Sequence, residues 1–357
     1  MKMLGIETSC DDTGIAVLEV TESLPRGKMG KTLQFRILAN VVSSQIKIHQ
    51  EYGGVYPMLA KREHEKNLPI VLKKIPQENI DAIAVTYGPG LSPCLWAGLN
   101  FAKNLANKWS VPLIPVDHIE AHFLVGLLQQ TDKNDQFLGI EDRVFPAVAL
   151  IVSGGHTQLI LARDIDKYQI VGETRDDAAG ECFDKTARIL GLGYPGGPAI
   201  AAAAAQIQNS KIKIDLPRPM LHTKDYDFSF SGLKTAVLYD YQARPEKERE
   251  SEEYIQGMAC EIQQAIIDVL VHKTMQAAKE FKAKSIVVGG GVAANESLRI
   301  RLKHTTDATS IKLLAPPPDL ATDNGLMIAL AGYFKYKQGA HPKNPDSIEA
   351  DPNLRIA

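Results

Sequence analysis

Two histidines spaced four residues apart are the side chains in this sequence with the clearest chemical potential. His118 and His122 follow an apolar segment that ends in Pro115-Val116-Asp117. Because four residues turn an α-helix by about 400°, both imidazole rings would lie on one face and could reach the same ion. The spacing therefore predicts a metal site. The alternative is a pair of unrelated surface histidines.

The position of Glu120 limits the chemistry that such an ion would support. The usual hydrolytic zinc motif has its glutamate directly after the first histidine. Glu120 stands two residues after His118, about 200° round the helix, so we expect it to point away from the ion. The pattern favours an ion used for binding or Lewis-acid work and lacks the general base of a peptidase.

Three turn segments that contain glycine come directly after predicted strands, and they are Glu7–Gly14, Ile151–Thr157 and Gly289–Asn295. The first adds the carboxylates of Asp11 and Asp12 to its hydroxyls and backbone amides. In the other two, glycines would let backbone N–H groups approach an anion or the phosphates of a nucleotide. Each segment alone is typical of a plain structural turn, whereas the three together predict a binding site.

Three further polar residues are candidates for ligand binding. Asp184 lies about two turns into a predicted helix, too deep to cap its start, which predicts a ribose hydroxyl or a ligand amine as its partner. Lys234 would suit a phosphate. Asp323 opens the last long helix as either an N-cap or a third metal ligand, and the local sequence alone favours the cap.

The elements that must position these residues alternate between strands and helices. In the first half the predicted strands are Met3–Ile6, Gly14–Val20, Phe35–Ser43, Asp81–Tyr87 and Pro112–Val116, with helices Val55–Lys74 and Leu95–Lys108. In the second half they are Phe145–Ser153, Thr157–Arg163, Tyr168–Thr174 and Ser285–Gly289, with helices Ala179–Leu190, Ile255–Lys282 and Glu296–Lys303. This repeated order predicts a duplicated α/β architecture.

Composition sets further bounds on the protein. At 357 residues and 45% hydrophobic content, the chain is long enough for two domains. Its 40 basic and 42 acidic residues give a net charge of -2, so a polyanion would have to bind a local patch. The four cysteines are scattered, which argues against a disulfide framework and favours the cytoplasm. Without an apolar run of about 20 residues or a signal peptide, we expect no membrane association.

Six segments in this order resemble the TsaD/Kae1/Qri7 family, and they are Glu7–Asp11, the histidine pair, Val152–Gln158, Phe183–Thr186, Phe228–Lys234 and Thr322–Gly325. The resemblance implies an actin-like ATPase fold of two duplicated ribonuclease H-like lobes with a cleft between them. On this basis residues 1–115 with about 321–345 would form the N-terminal lobe. Residues 116–320 would form the C-terminal lobe, which would carry most of an adenylate site.

The resemblance also implies an activity. Members of this family are acyltransferases that move threonylcarbamoyl from threonylcarbamoyl-AMP to N6 of adenosine 37, in tRNAs that read codons beginning with adenine. By resemblance, one divalent ion per subunit, Fe²⁺ or alternatively Zn²⁺, would bind between the lobes to His118, His122 and Asp323. The implied adenylate-binding residues are Ile151, Val152, Ser153, Gly154, Gly155, Asp184, Gly197 and Asn295. No general base is evident, and Asp11 and Asp12 are the catalytic candidates.

Two positions depart from the family pattern. Ala201 stands where many relatives carry an acidic residue, so a ribose contact is absent or replaced. Asp12 replaces the glutamate of many bacterial relatives, which keeps the charge but shortens the side chain by one methylene.

The resemblance implies partners as well. Besides tRNA, the bacterial setting implies a TsaB-like paralogue and a TsaE-like ATPase, with the helix from Val55 to Leu72 as the candidate interface. Local clusters such as Lys61/Arg62 are typical of solvated helix faces. Two other functions remain as alternatives, because fold alone excludes neither. One is a metal-dependent glycoprotease-type peptidase, and the other is a sugar-kinase-like or chaperone-like ATPase.

Overall fold

The computed structural model describes residues 1–23, 32–130, 137–140, 143–207 and 212–356. Its strands are β1 Lys2–Glu7, β2 Asp12–Ser23, β3 Thr32–Ser44, β4 Ala82–Gly88, β5 Leu113–Asp117, β6 Leu128–Gln130, β7 Phe137–Ile140, β8 Ala147–Val152, β9 Thr157–Asp164, β10 Lys167–Glu173, β11 Ser285–Gly289 and β12 Lys312–Leu314. Its α-helices are α1 Ile46–Gln50, α2 Pro57–Leu72, α3 Ser92–Trp109, α4 His118–Gly126, α5 Ala179–Ile189, α6 Gly196–Ala204, α7 Ser231–Ala243, α8 Glu246–Arg249, α9 Glu252–Glu280, α10 Glu296–Asp307, α11 Pro318–Ala321 and α12 Gly325–Lys337. Single 3₁₀ turns lie at Gly291–Ala294 and Pro345–Ser347.

The chain divides into two compact units. Unit 1 comprises Met1–Ile48, Val55–Asp142 and Pro316–Ile356. Unit 2 comprises His49–Gly54 and Arg143–Ala315. Each unit contains one of the two sheets.

The two sheets have the same strand order. In unit 1 the order is β5-β4-β1-β2-β3, extended by β7 and β6, and in unit 2 it is β10-β9-β8-β11-β12. Read from the opposite edge, the unit 1 order is β3-β2-β1-β4-β5, which matches unit 2 strand for strand. In both, three consecutive strands pair antiparallel, and two later strands add in parallel beside the first. The predicted duplicated α/β architecture with ribonuclease H-like lobes is therefore confirmed.

Helix α12 crosses the sheet of unit 1 at unusually short range. It packs against β1, β2, β4 and β5, and its residues from Gly325 to Tyr333 are all buried. A Cβ added to Gly5 would lie 2.1 Å from the carbonyl oxygen of Gly325, and one added to Gly332 would lie 2.3 Å from Cβ of Ala84. The helix can approach so closely because glycine has no side chain at these points. A helix that is apolar all round is typical of a core element.

The contact-based division of the chain differs from the sequence-based boundary after residue 115. Residues 116–142 belong to unit 1, as do residues 316–320. Helix α4 packs against α11 and α12, which return from the C-terminal part of the chain, and β7 pairs with β3. These long-range contacts hold the segment in unit 1.

Helix α2 buries one stripe and exposes another. It begins at Pro57, whose fixed φ suits the first helical position, after Tyr56 in an extended conformation. The buried stripe consists of Ala60, His64, Leu68 and Val71. On the other side Met58 is 51% exposed and Ile70 is 46% exposed. His64 is therefore a polar residue on an otherwise apolar inward face.

Unit 2 is organised around the 29-residue helix α9. Helices α5 and α6 and strand β8 pack against it. Despite its length, neither α9 nor any other helix in the described ranges has an apolar stretch that could cross a membrane. Residues 24–31, between β2 and β3, lie outside the described part of the chain.

Candidate metal centre

The histidine pair lies on a short helix whose start is set by Asp117. This residue ends the buried strand β5, and its Oδ1 accepts hydrogen bonds from the N–H groups of Ile119 at 2.7 Å and Glu120 at 3.1 Å. The cap starts α4 at His118, which puts His122 one turn further along the same face. His118 is 5% exposed and His122 is fully buried, so the interpretation as surface histidines is wrong.

Asp323 joins the two histidines, and Asn324 explains why it can. The side chain of Asn324 caps α12 by accepting from the N–H groups of Leu326 and Met327. The cap interpretation of Asp323 is therefore wrong. Its Oδ1 lies 3.1 Å from Nε2 of His122 and 3.6 Å from Nε2 of His118. This arrangement is consistent with the prediction that both histidines lie on one helical face, and with Asp323 as a third metal ligand.

The three side chains fit a metal ion. Their donor atoms all lie within 4.8 Å of one another. Bonds of about 2.0–2.1 Å in a tetrahedral site would place ligand atoms about 3.3 Å apart, which matches the observed separations from the aspartate oxygen. Two imidazole nitrogens and one carboxylate oxygen also form a donor set that binds transition metals in preference to Ca²⁺ or Mg²⁺. The group could hold such an ion.

Glu7 is a member of this centre that the sequence analysis missed. It is fully buried at the end of β1, and its Oε2 accepts from Thr86 at 2.6 Å and lies 3.1 Å from Nδ1 of His118. Ser9 donates its backbone N–H to Glu7 and places its hydroxyl 3.3 Å from the same histidine nitrogen. A carboxylate that receives the second N–H of a ligating histidine fixes the ring and its tautomer.

A topological signal could have found Glu7. Strands β1, β4 and β5 are parallel neighbours, so their carboxyl ends lie at one edge of the sheet. Glu7 ends β1, Thr86 is near the end of β4, and His118 follows β5. Polar residues at such strand ends are typical of ligand sites in α/β sheets.

The two histidines have opposite electrostatic environments. Burial acts to lower the pKa of His118, but the charges of Glu7 and Asp323 outweigh it and raise that pKa to about 9. In turn, burial acts to raise the pKa of Glu7, whereas the facing imidazole lowers it, with a net fall. Burial lowers the pKa of His122. The Nδ1 of His122 has no hydrogen-bond partner among the described residues.

Glu120 is not part of this centre. It is 3% exposed, and its carboxylate forms an ion pair with Lys335 on α12 at 2.9 Å. The expectation that it points away from the histidine pair agrees with this contact. A general base in the position that a peptidase requires is absent from α4.

The two catalytic candidates lie where the turn after β1 enters β2, with Asp11 in the turn and Asp12 as the first residue of β2. Burial, reinforced by the charge of Asp323, raises the pKa of Asp12 to about 7. The Oδ1 atom of Asp12 is buried and has no hydrogen-bond partner in the described ranges. A half-ionised, incompletely bonded carboxyl group next to a metal centre is typical of a functional residue.

The predicted adenylate residues lie in unit 2, where their turns come together. The β8–β9 turn closes through the N–H of Ser153 on the carbonyl of His156 at 2.8 Å, and Gly180 at the start of α5 donates to the Ser153 carbonyl at 3.2 Å. Gly290, in the left-handed region with φ of +87°, packs against the Val152 carbonyl. The second and third glycine turns of the sequence analysis are therefore neighbours.

Several of these residues have structural partners. Asp184 accepts a hydrogen bond from the N–H of Gly196 at 2.6 Å, which fixes the start of α6 next to Gly197. Asn295 caps α10 by accepting from Leu298 at 3.0 Å. Its amide nitrogen also donates to Gln263 at 2.9 Å. These contacts lie within unit 2, and the predicted ligand contacts of both side chains stay predictions.

Asp176 accepts hydrogen bonds at the start of α7, more than 50 residues away in sequence. It accepts from the hydroxyls of Ser229 and Ser231 at 2.6 Å each, and from the N–H groups of Phe230 and Ser231. Burial acts to raise the pKa of Asp176, but these hydrogen bonds outweigh it and lower that pKa. The segment that contains Lys234 is thus fixed at its start by a carboxylate from another loop.

Comparison with protein-family models matches residues 36–330 to TsaD, described as tRNA N6-adenosine threonylcarbamoyltransferase. A protein of that name from Thermosipho africanus (strain TCF52B) is 44% identical over 362 residues, which cover 100% of both chains. Another from Persephonella marina (strain DSM 14350 / EX-H1) is 44% identical over 365 residues, covering 100% of this chain and 96% of the relative.

Solved structures give a likeness of fold alone. HypF of T. kodakarensis superposes with a TM-score of 0.55 at 13% identity, covering 96% of this chain and 49% of that one. Full-length HypF in a phosphate- and nucleotide-bound form gives a TM-score of 0.55 at 11% identity, covering 94% of this chain and 55% of HypF. The present chain thus spans about half of HypF.

Proposed function

The chain belongs to the TsaD family of tRNA N6-adenosine threonylcarbamoyltransferases, and we propose that its donor is threonylcarbamoyl-AMP and its target adenosine 37. It is an acyltransferase that modifies tRNA by attaching threonylcarbamoyl to N6 of adenosine. In the proposal, the tRNAs are those that read codons beginning with adenine. The observation that carries the proposed chemistry is the buried group His118, His122 and Asp323.

The proposed cofactor is one Fe²⁺ ion per chain, with Zn²⁺ as the alternative, held by His118, His122 and Asp323. Such an ion, when bound, would act as a Lewis acid toward the threonylcarbamoyl group. The protein's own contribution is to hold the ligands. Glu7 would accept the Nδ1 proton of His118 and so leave Nε2, which lies toward Asp323, as the ligand atom once an ion displaces its proton.

Unit 2 is proposed to hold the adenylate. Its candidate residues are Ile151, Val152, Ser153, Gly154, Gly155, Asp184, Gly197 and Asn295. A Cβ placed on Gly154, Gly155, Gly197 or Gly291 would meet nothing within 4 Å, so the backbone at these turns borders open space. Exposed backbone N–H groups beside such space suit a phosphate or a ribose. Asp184 supports this role by fixing the N–H of Gly196.

The reaction requires activation of a weak nucleophile. The lone pair of N6 is delocalised into the adenine ring, so the mixed anhydride must supply the driving force and the protein must supply positioning. In the transfer, a bond forms between N6 and the carbamoyl carbon, and the bond from that carbon to the AMP oxygen breaks. N6 loses a proton. Asp12, with its pKa raised to about 7, is the proposed acceptor of that proton, with Asp11 as the neighbouring candidate.

Partner proteins and location are proposed from family membership. The chain would act in the cytoplasm with a TsaB-like paralogue and a TsaE-like ATPase. The face of α2 that exposes Met58 and Ile70 is the proposed contact with the paralogue, because it presents apolar side chains to solvent. Exchange of both residues for serine should abolish association with the paralogue and leave the metal content unchanged.

Reconstitution tests the proposal directly. Metal-loaded protein, threonylcarbamoyl-AMP and a tRNA with adenosine 37 are combined, with candidate partners added one at a time, and modified adenosine is measured. We expect product with adenosine 37 and none with guanosine at that position. His122→Ala should lose both metal and product, whereas the exposed control Asp319→Asn should keep both. Absence of product in every combination, or equal product from metal-free protein, would overturn the proposal. Parallel peptide cleavage or sugar-dependent ATP turnover would support the alternative functions.

A further inference from the structure

A third buried histidine of unit 1, His64, binds the turn that leads to the catalytic candidates. It lies on the buried stripe of α2 and has no exposed surface. Its Nδ1 lies 2.8 Å from the hydroxyl of Thr13, and its Nε2 lies 2.9 Å from the carbonyl oxygen of Cys10. Both ring nitrogens are therefore used, and both bind the same short turn.

The partners determine where the proton of the ring resides. The carbonyl oxygen of Cys10 can only accept, so Nε2 of His64 carries the N–H and donates it. In the neutral ring Nδ1 is then the acceptor of the Thr13 hydroxyl proton. The ring thus acts as a rigid two-point clamp with one donor and one acceptor.

The clamp spans Asp11 and Asp12. Its two contact points, at Cys10 and Thr13, lie directly on either side of these carboxylates. On the side before Cys10, Ser9 contacts His118 of the metal centre. The position of the two aspartates relative to the metal centre therefore depends on the backbone that His64 holds.

We propose that His64 is a positioning residue for the transfer reaction. It holds the Cys10–Thr13 turn so that the Asp12 carboxylate is fixed relative to His118 and Asp323. This role rests on the proposed function of Asp12. It also links α2 to the turn, because the helix that presents Met58 to solvent is the same helix that carries His64.

Three variants separate positioning from packing. His64→Phe fills a similar volume but removes both hydrogen bonds, and His64→Gln keeps an amide donor within reach of the Cys10 carbonyl. Val71→Ala is the matched control, because Val71 lies on the same buried stripe at 1% exposure and Ala leaves a cavity there. Stability, metal content and the steady-state constants for donor and tRNA are measured for each.

The expected result is a change in turnover without a change in binding. His64→Phe should lower kcat by about tenfold or more, with KM and metal content within about twofold of the parent. His64→Gln should recover part of kcat. Val71→Ala should lose stability but keep kcat. Equal kcat in the parent and His64→Phe, or a loss in Val71→Ala that matches that of His64→Phe, would overturn the proposal.

A double variant tests whether His64 acts through Asp12. If it does, His64→Phe should slow the Asp12→Asn protein by less than about twofold, because the carboxylate it positions is already gone. Fully additive losses would contradict that route. Amide exchange of residues 10–14 is measured in parallel and should become faster in His64→Phe. Since exchange needs no substrate, slow exchange in His64→Phe would refute the clamp, whereas an inactive parent protein would refute the proposed function.

Discussion

Replacing Asp12 with asparagine should make the protein more stable at alkaline pH and less active. The carboxyl is mostly buried, and its Oδ1 has no partner among the described residues. Asparagine has nearly the same shape but no charge, so it removes the cost of burying a carboxylate. The exchange should also remove the proposed proton acceptor, with a loss in kcat of about 100-fold or more.

The magnitude follows from the shift of the pKa from 3.8 to about 7. Because the folded-state pKa lies above the unfolded one, the folded state loses stability as pH rises from about 4 to about 7 and stays at that level above it. Each pKa unit corresponds to about 1.4 kcal/mol, so the cost approaches about 4 kcal/mol at pH 8 and is about 2 kcal/mol at pH 5. The variant should therefore gain about 2 kcal/mol more at pH 8 than at pH 5.

The assay is urea unfolding at both pH values, with chelator-treated protein so that a bound cation does not offset the charges of Asp12 and Asp323. Asp319→Asn serves as the matched control, because Asp319 is an exposed carboxylate of the same unit. It should show no pH-dependent gain. An Asp12→Asn protein whose gain is equal at pH 5 and pH 8 would refute the argument that burial penalises this carboxylate.

Three further predictions concern residues that support the site or its surroundings. Glu7→Gln should weaken metal binding by about 10–100-fold, measured by competition with a chelator, because the amide no longer takes the N–H of His118 as a carboxylate does. Unchanged affinity would contradict this. Asn324→Ala should lower the free energy of unfolding by about 1–2 kcal/mol through loss of the α12 cap, and should also weaken metal binding. Loss of stability alone would mean that the cap does not place the neighbouring ligand. Lys273→Met should cost about 1–2 kcal/mol in urea unfolding, because the fully buried ammonium donates to Thr223 and to Asp225, while the Asp225 that remains is partly exposed. A neutral effect would show that the apolar side chain compensates.

Local patterns in the sequence are sufficient to predict the histidine pair but not the third ligand of the metal site. The spacing of His118 and His122 is a property of one helix, and α4 forms as expected. Asp323 is ambiguous locally because Asp and Asn both cap helices, and the structure resolves it by giving the cap to Asn324. Such a choice depends on what lies opposite each side chain, which is a contact across 201 residues of chain.

Contacts between segments that are distant in the chain could not be predicted from the sequence either. Glu7 was part of a predicted anion-binding turn, and its pairing with His118 follows only from the parallel order of β1, β4 and β5. His64 gave no signal, because a histidine on an apolar stripe has no pattern of its own. The short strands β6 and β12, of three residues each, carry too little periodicity to be predicted. The contact-based boundary differs from the sequence-based one because α12 returns to pack on α4.

The order in which the chain is synthesised has a consequence for how the metal centre is acquired. His118 and His122 emerge from the ribosome long before Asp323, and the large segment of unit 2, Arg143–Ala315, is made in between. Until α12 has emerged, the sheet of unit 1 lacks the helix that buries Gly5, and the centre lacks one of its three ligands. A nascent chain would therefore expose an apolar sheet face and bind metal with the histidines alone. The complete set of three ligands would then be available to an ion only after the C-terminal helix of unit 1 has docked.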